Sequence, residues 1–175
     1  MMKKHELDRL VTDAQTGNSK AFAAVYGLFA NDLYRFALYF TGNSADAQDC
    51  VQDAVLLAFR NLPSLKKPSS FKSWLFKILS NVCKEKLTNP ADSFTCIPIH
   101  EVQTAEREPS VMQTELSAEL SDALDQLSAE EKQIVLLSVI GRYKSGEIAQ
   151  MLGMSPGTVR SKLSRSLAKL REILQ

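Results

Sequence analysis

Two arginines and two serines near the end of the 175-residue chain have the types and spacing to bind nucleic acid. They are Arg160, Ser161, Ser164 and Arg165, and in a helix they would share one face. A guanidinium forms paired hydrogen bonds with guanine or binds a phosphate, and a serine hydroxyl bonds to either. This face therefore predicts recognition of DNA, a chemistry in which no covalent bond is made or broken.

The helix that carries these side chains has a predicted start and a predicted buried stripe. Ser155 is expected to cap it, and the backbone N–H groups near Gly157 and Thr158 offer a phosphate contact. The apolar stripe steps by four, four and three residues through Val159, Leu163, Leu167 and Leu170. Lysines at 144, 162 and 169 are expected to add nonspecific electrostatic affinity.

The charge of the chain is +1 overall but is unevenly distributed. Residues 132–175 carry eight bases against two acids, whereas residues 111–131 carry six acids and no base. Residues 1–87 carry twelve bases against eight acids, and residues 88–110 carry one base against four acids. A basic last quarter favours a polyanionic partner, although an ordinary solvated helix face is the alternative that charge alone leaves open.

Several classes of protein are disfavoured by composition. No apolar run approaches the roughly 20 residues that span a bilayer, and the N-terminus lacks the apolar stretch of a signal peptide, so a cytoplasmic protein is expected. Cys50, Cys83 and Cys96 lack zinc-site spacing, and the first two are predicted to be buried as small hydrophobic residues. With only two histidines and no phosphate-binding loop, we expect no cofactor, no metal and no enzymatic activity.

The caps and apolar spacings predict an all-α chain of two small helical domains, with a flexible linker over residues 88–110 where prolines interrupt the pattern. The predicted helices are one that ends at Gly17, one that begins at Asn18 or Ser19 and ends at Gly42, one that begins at Asn43 or Ser44 and ends at Pro63, one that begins after Ser70, Val111–Leu127, one from Ser128 to Gly141, Gly146–Leu152 and one that begins after Ser155. The last two, joined by a turn at Gly153, fit a helix-turn-helix.

Residues 147–171 resemble the promoter-reading helix-turn-helix of extracytoplasmic-function (ECF) sigma factors, and also the output domains of response regulators. The resemblance to sigma factors implies contact with the minus-thirty-five promoter element. The residues implied are Ser155, Gly157, Thr158, Arg160, Ser161, Ser164 and Arg165. Because two families share this pattern, the upstream segments decide between them.

The run from Asp46 to Ala54 resembles the part of the ECF family that docks on the clamp helices of RNA polymerase. Taken alone, the run favours an ordinary solvated helix face. The resemblance implies that Asp46, Asp49, Gln52 and Asp53 bind polymerase. Gln48 departs from the family pattern and removes one of the usual acids.

The next segment, Phe71–Asn81, is similar to the family's Trp-Leu helix. In that family the preceding loop, here about residues 62–70, captures a base flipped from the minus-ten element, which costs a few kcal/mol of unstacking. The residues implied are Lys66, Lys67, Ser69, Ser70, Lys84 and Lys86. Lys84 and Lys86 stand where the family usually has an arginine pair, and Trp74 is predicted to be core.

Together these resemblances imply a sigma factor with residues 1–87 as the domain for polymerase docking and the minus-ten element, and residues 111–175 as the domain for the minus-thirty-five element. The implied partners are core RNA polymerase, promoter DNA and, as is frequent in the family, an anti-sigma factor. No membrane insertion is expected. The competing hypothesis is a stand-alone helix-turn-helix regulator, whose residues 1–87 would sense a signal or dimerise.

Overall fold

The computed structural model describes residues 4–89 and 116–175, and all regular structure within those ranges is helical. The α-helices there, in chain order, are α1 (Lys4–Gln15), α2 (Ser19–Gly27), α3 (Ala30–Thr41), α4 (Ser44–Asn61), α5 (Phe71–Thr88), α6 (Ala118–Asp125), α7 (Ala129–Val139), α8 (Ser145–Leu152) and α9 (Pro156–Ile173). Two short 3-10 turns, Leu62–Ser64 and Pro68–Ser70, join α4 to α5. The all-α prediction is confirmed.

The N-terminal unit, residues 4–89, is a bundle in which α3, α4 and α5 pack together. The side chain of Asn43 caps α4 by accepting the N–H of Asp46 at 2.8 Å, and Gly42 ends α3 in a left-handed conformation. Phe36 and Phe76 meet edge to face in the core, with ring centroids 6.0 Å apart. Cys50 and Cys83 are fully buried, as predicted.

The prediction of a single helix from Ser19 to Gly42 is wrong, because this segment forms two helices, α2 and α3. At the break, Phe29 donates its N–H to the carbonyl of Tyr26 at 2.9 Å, which closes a four-residue turn. Gly27 lies within this turn, and glycine costs about 1 kcal/mol relative to alanine within a helix. The apolar spacing continues through the break, so periodicity alone could not reveal it.

The C-terminal unit, residues 116–175, contains α6 to α9. Ser128 and Glu131 form the predicted capping box at the start of α7, and Gly153 ends α8 with a positive φ of 68°. The helix predicted over Val111–Leu127 instead starts after Ser117, whose hydroxyl accepts the N–H of Leu120. Residues 111–115 lie outside the described part of the chain.

The two units are in contact along α7, which packs against α3 and α5. Ile134 and Leu137 of α7 belong to the same buried cluster as Phe36 and Leu79 of the N-terminal unit. The segment predicted as a linker overlaps α5 at Thr88, and its residues from 90 onward lie outside the described ranges. None of the described helices is long and apolar enough to cross a membrane.

Candidate promoter and polymerase interfaces

The N-terminal half of α9 presents the predicted DNA-binding side chains to solvent. Four of them line one open groove with a volume of about 660 Å³, namely Arg160, Ser161, Ser164 and Arg165. The other three predicted residues, Ser155, Gly157 and Thr158, are also exposed, at the beginning of the helix. The structure therefore brings together all seven residues of the predicted minus-thirty-five set.

Local hydrogen bonds fix the beginning of this surface. Ser155 Oγ accepts the N–H of Thr158 at 3.1 Å and lies 2.8 Å from Thr158 Oγ1. Further along, Arg165 Nε donates to the carbonyl of Ser161 at 3.2 Å, which holds that guanidinium along the helix. A guanidinium has five N–H donors, so this bond leaves donors for a base or a phosphate.

The buried face of α9 differs from the predicted stripe at one position. Leu167 is 36% exposed, whereas Ser166 is almost fully buried, with no hydrogen-bond partner for its hydroxyl. The inward side chains Val159, Leu163, Ser166 and Leu170 step by four, three and four residues. The prediction placed Leu167 in the buried stripe because leucine is hydrophobic. The helical repeat instead places the side chain of residue 166 on the buried face.

Two of the three lysines expected to add nonspecific affinity are engaged within the protein. Lys162 pairs with Glu130, and Lys169 donates to the carbonyl of Gln126. Lys144 is exposed. In the N-terminal half of α9, the positive charge available to DNA is therefore concentrated at the two arginines of the groove.

The predicted polymerase-binding residues lie on α4, where spacings of three and four place Asp46, Asp49 and Asp53 on one side of the helix. The side chain of Asp49 is 63% exposed and that of Asp46 is 42% exposed. Gln52 is exposed, and Asp53 is half-buried. Partial burial, together with the nearby charge of Asp49, raises the pKa of Asp53.

Lys86, expected on sequence grounds to contact DNA, lies instead among these acids. Its Nζ is 3.0 Å from Asp46 Oδ1 and 3.1 Å from Asp49 Oδ2. Partial burial opposes the charged form, but the hydrogen bonds to the two carboxylates outweigh it and raise the pKa of Lys86. Hydrogen bonds from Asn43 and then from Lys86 lower the pKa of Asp46. Sequence reasoning missed this cluster because its members are 37 and 40 positions apart.

The predicted minus-ten set is divided between the two ends of α5. Lys66, Lys67 and Ser69 are exposed and Ser70 is half-buried, all just before the helix begins. Lys84 lies 14 residues beyond Ser70, or about 21 Å at 1.5 Å per residue. Ser70 occupies the predicted cap position, but its hydroxyl caps no N–H group and its carbonyl accepts from Ser73 Oγ.

A cleft of about 300 Å³ adjoins the minus-ten segment. Leu65, Ser70 and Trp74 line one side, and α8 contributes residues that include Glu147 and Gln150 to the other side. Trp74 packs against the core, as predicted, with its ring 6.1 Å from that of Phe71, and it also reaches this cleft. Sequence reasoning missed the α8 residues because no local pattern connects them with Ser70.

Comparison with known proteins decides between the two hypotheses. The family model for Sigma-70 region 2 matches residues 25–90, and the model for Sigma-70 region 4 matches residues 117–170. The ECF RNA polymerase sigma factor SigM of Mycobacterium tuberculosis is 31% identical over 159 residues, which cover 90% of this chain and 79% of SigM. The RNA polymerase sigma factor SigV of Bacillus subtilis is 30% identical, with 80% and 82% covered. The chain belongs to the ECF sigma factors.

Solved structures agree with this assignment over nearly the whole chain. The chain superimposes on CnrH, in a structure with the cytosolic domain of CnrY, with a TM-score of 0.72 and 25% identity, covering 96% of each chain. The sigma factor RpoE of Bartonella quintana, solved with the anti-sigma factor NepR, gives a TM-score of 0.64 and 26% identity, with 89% of this chain and 97% of RpoE covered.

As an ECF sigma factor, the protein directs RNA polymerase to promoters. The stand-alone regulator is disfavoured because the region 2 match falls on the part of the chain that this hypothesis left to sensing or dimerisation. Proteins of this family are non-enzymatic initiation factors. Within the described ranges, no group of three or more histidine, cysteine or acidic side chains is arranged to hold a metal ion.

Proposed function

We propose that this ECF sigma factor works through three surfaces: α4 for core polymerase, the segment before α5 for the minus-ten element and α9 for the minus-thirty-five element. Residues 1–87 would form the first functional domain, residues 88–110 the linker and residues 111–175 the second domain. The observation that carries the proposal is the exposed arginine and serine groove on α9, within the region 4 match.

On α9, a capped helix presents two guanidiniums from adjacent turns. Arg160 and Arg165 are exposed and lie on the same side of the helix as the hydroxyls of Ser161 and Ser164. Placed in the major groove, such a face reads guanine edges, and the N–H groups at Gly157 and Thr158 hold a phosphate. Ser155 contributes by fixing the first turn of the helix.

On α4, the exposed carboxylate of Asp49 and the amide of Gln52 offer a polar docking surface for polymerase, flanked by Asp46 and Asp53. Lys86 neutralises part of the charge at Asp46 and Asp49. We therefore expect the affinity for polymerase to depend on the geometry of hydrogen bonds at this surface as well as on its net charge. Lys86 thus holds the carboxylates of Asp46 and Asp49 in position. Its positive charge is also proposed to attract DNA.

Before α5, Ser70 lines the cleft that reaches Trp74, the exposed Ser69 precedes it in the chain, and Lys66 and Lys67 supply positive charge. A base that leaves the stack needs polar contacts and a basic surrounding to offset its unstacking. Lys84, at the far end of α5, is placed to attract phosphates upstream of the flipped base.

The remaining parts of the proposal concern partners and setting. The formation of phosphodiester bonds belongs to the polymerase, and this chain supplies no catalytic residue. An anti-sigma factor is proposed as a further partner, because both similar structures are complexes, of CnrH with CnrY and of RpoE with the anti-sigma factor NepR. The cytoplasm is proposed as the place of action, since the polymerase and the DNA are there.

Run-off transcription with purified core polymerase tests the proposal. A library of promoter templates is transcribed with and without the purified chain, and transcript starts are sequenced. We expect new, defined start sites only when the chain is present. If the chain instead binds DNA fragments in the absence of polymerase and leaves the start sites unchanged, the result would favour the stand-alone regulator.

A further inference from the structure

The first helix of the chain, α1, lies outside both family matches, since the region 2 match begins at residue 25. It nevertheless packs against the two 3-10 turns between α4 and α5, which bound the segment proposed to read the minus-ten element. Val11 and Ala14 of α1 are buried in the same cluster as Leu62 and Leu65 of this segment. The α1 helix is therefore a direct neighbour of the proposed reading segment.

A single side chain at the end of α1 joins this helix to the backbone of the segment. Gln15 Nε2 donates to the carbonyl of Leu65 at 2.7 Å and to the carbonyl of Leu62 at 3.1 Å. Carbonyl oxygens only accept, and an amide nitrogen carries two hydrogens, so the nitrogen end of the amide serves both acceptors at once. We call these two bonds the Gln15 bridge.

The backbone at the bridge is not part of a regular helix. Leu65 has φ −69° and ψ 110°, and Lys67 has φ −126° and ψ 109°, so the chain is extended between the two turns. Leu65 donates its N–H to the carbonyl of Leu62 at 3.0 Å, and Ser70 donates to the carbonyl of Lys67 at 2.9 Å. Each of these bonds closes one turn, whereas the Gln15 bridge ties the first turn and the start of the extended stretch to another helix.

The amide of Gln15 has a fixed position from which to hold the segment. The preceding residue, Ala14, is buried, and its carbonyl accepts the N–H of Gly17 at 3.0 Å. Gly17 has a positive φ of 92°, which ends the helical path just after Gln15. Gln15 itself is half-buried, so water competes less for its bonds than it would at an exposed position.

The bridge acts on a residue of the proposed reading site. Leu65 lines the cleft together with Ser70 and Trp74, and Lys66 and Lys67 follow it directly in the chain. Recognition of a base by hydrogen bonds requires groups held within about 0.5 Å, whereas attraction between lysines and phosphates acts over roughly 8 Å at physiological salt. A displaced Leu65 backbone would therefore reduce discrimination between bases much more than it would reduce affinity for DNA.

We propose that Gln15 is a positioning residue for the minus-ten element, which holds the segment before α5 in the shape that distinguishes one unstacked base from another. This inference rests on the proposed function of that segment. The amide of Gln15 faces two carbonyls of the protein, so it acts on the base only through the backbone of Leu62 and Leu65.

Two substitutions remove the bridge in different ways. Gln15→Met keeps the length of the side chain without an N–H donor, and Gln15→Glu sets a carboxylate against two carbonyl oxygens. The matched control is Gln126→Glu, the same change at an exposed residue of the C-terminal unit. Both variants at position 15 should behave alike. An effect of Gln15→Glu without an effect of Gln15→Met would assign the change to added charge and would contradict the bridge.

Hydrogen exchange of the free chain, followed by NMR, tests whether the bridge holds the segment. The N–H groups of Leu65 and Ser70 report on the two turns, and the N–H of Leu79, which is buried in the middle of α5, reports on global unfolding. Because two hydrogen bonds are lost, we expect Leu65 and Ser70 to exchange at least about fivefold faster in both variants, with Leu79 unchanged. Unchanged exchange at Leu65, or equal acceleration at Leu79, would overturn the positioning role.

Selection from a promoter library randomised in the minus-ten element, with core polymerase, tests the reading of the base. We expect both variants to lower the preference for the best base by about fivefold, while polymerase binding and transcript from the best promoter change by less than about twofold. Faster exchange with an unchanged base preference would show a structural role only and would refute the proposal. If the wild type itself gives no promoter-dependent transcript, the proposed function fails and the minus-ten role fails with it, whereas the exchange rates still show whether Gln15 holds the segment.

Discussion

The ammonium of Lys86 lies 3.0 Å from a carboxylate oxygen of Asp46, and this contact joins the end of α5 to the beginning of α4. Asp49, one turn further along α4, accepts a second bond from the same ammonium at 3.1 Å. The two carboxylates proposed to face polymerase are thus held by a lysine for which the family resemblance implied a contact with DNA. Their positions depend on Lys86, so the docking surface and the end of α5 form one electrostatic unit.

Replacing Asp49 by arginine should weaken holoenzyme assembly. The change reverses the charge of the most exposed carboxylate on α4 and repels Lys86. We expect about a tenfold loss of affinity for core polymerase, which equals about 1.4 kcal/mol. Pull-down with purified core enzyme measures it, with Asp13→Arg on α1 as the control for an exposed acid elsewhere. Equal losses for both variants would show a general charge effect in place of a docking surface.

Acid should weaken the fold partly through Asp46. The pKa of Asp46 is lowered in the folded state, so its contribution is complete above the unfolded value of about 3.9 and is lost as the pH falls through the folded value. The raised pKa of Lys86 acts in the opposite sense, and its contribution is lost only as the pH rises through the folded value in strong alkali.

Urea unfolding of the wild type and of Asp46→Asn, at pH 7 and at pH 3, checks this assignment. Between these two values the wild type should lose more unfolding free energy than the variant, because the variant has no carboxylate to protonate at position 46. Identical losses in both proteins would mean that the contact between Lys86 and Asp46 does not stabilise the fold in solution.

Removing both groove arginines, with Arg160→Ala and Arg165→Ala, should abolish promoter-dependent transcription and leave binding to polymerase intact. Each good base contact is worth about 1–3 kcal/mol, so the double change removes a large share of the discrimination by α9. Arg171→Ala, at an exposed position near the end of the same helix, is the control. Loss of polymerase binding as well would indicate misfolding, and retained transcription would place DNA recognition elsewhere.

Changing Ser69 and Ser70 to alanine should alter the preferred minus-ten sequence more than the amount of transcript. Ser70 lines the cleft before α5 and Ser69 is the exposed residue next to it, while the basic residues Lys66 and Lys67 remain in place. Selection from a promoter library randomised in the minus-ten element measures the change. Ser64→Ala, in the preceding 3-10 turn, should keep the wild-type ranking; if the double variant keeps it too, these serines do not read the base.

Local features of the fold were predictable where short-range chemistry decides them. The caps at Ser128 and Ser155 and the glycine turn at Gly153 appear as expected, because each depends on residues within a few positions. The break after Gly27 was missed, since the apolar residues on either side keep the same helical spacing. Likewise, Leu167 was predicted to be buried because it is hydrophobic, although the helical repeat of α9 buries Ser166.

The candidate sites show the same division between local and distant chemistry. The α9 groove was predictable because its side chains lie within one helix. The pairing of Lys86 with Asp46 and the approach of Glu147 to Ser70 join distant parts of the chain through packing, and no spacing in the sequence encodes them. The bonds from Gln15 to the segment before α5 are of this second kind, so they could be found only in the structure.

Two substitutions at Ser155 should separate its structural role from its role at DNA. Ser155→Ala removes the acceptor for the N–H of Thr158 and should cost about 1 kcal/mol of unfolding free energy. Ser155→Asp restores a good cap but sets a negative charge where a phosphate is expected, so stability should be kept while transcription falls. Urea unfolding and run-off transcription give the two readouts. Full transcription with Ser155→Asp would mean that no phosphate approaches the first turn of α9, and the proposed orientation of that helix on DNA would have to change.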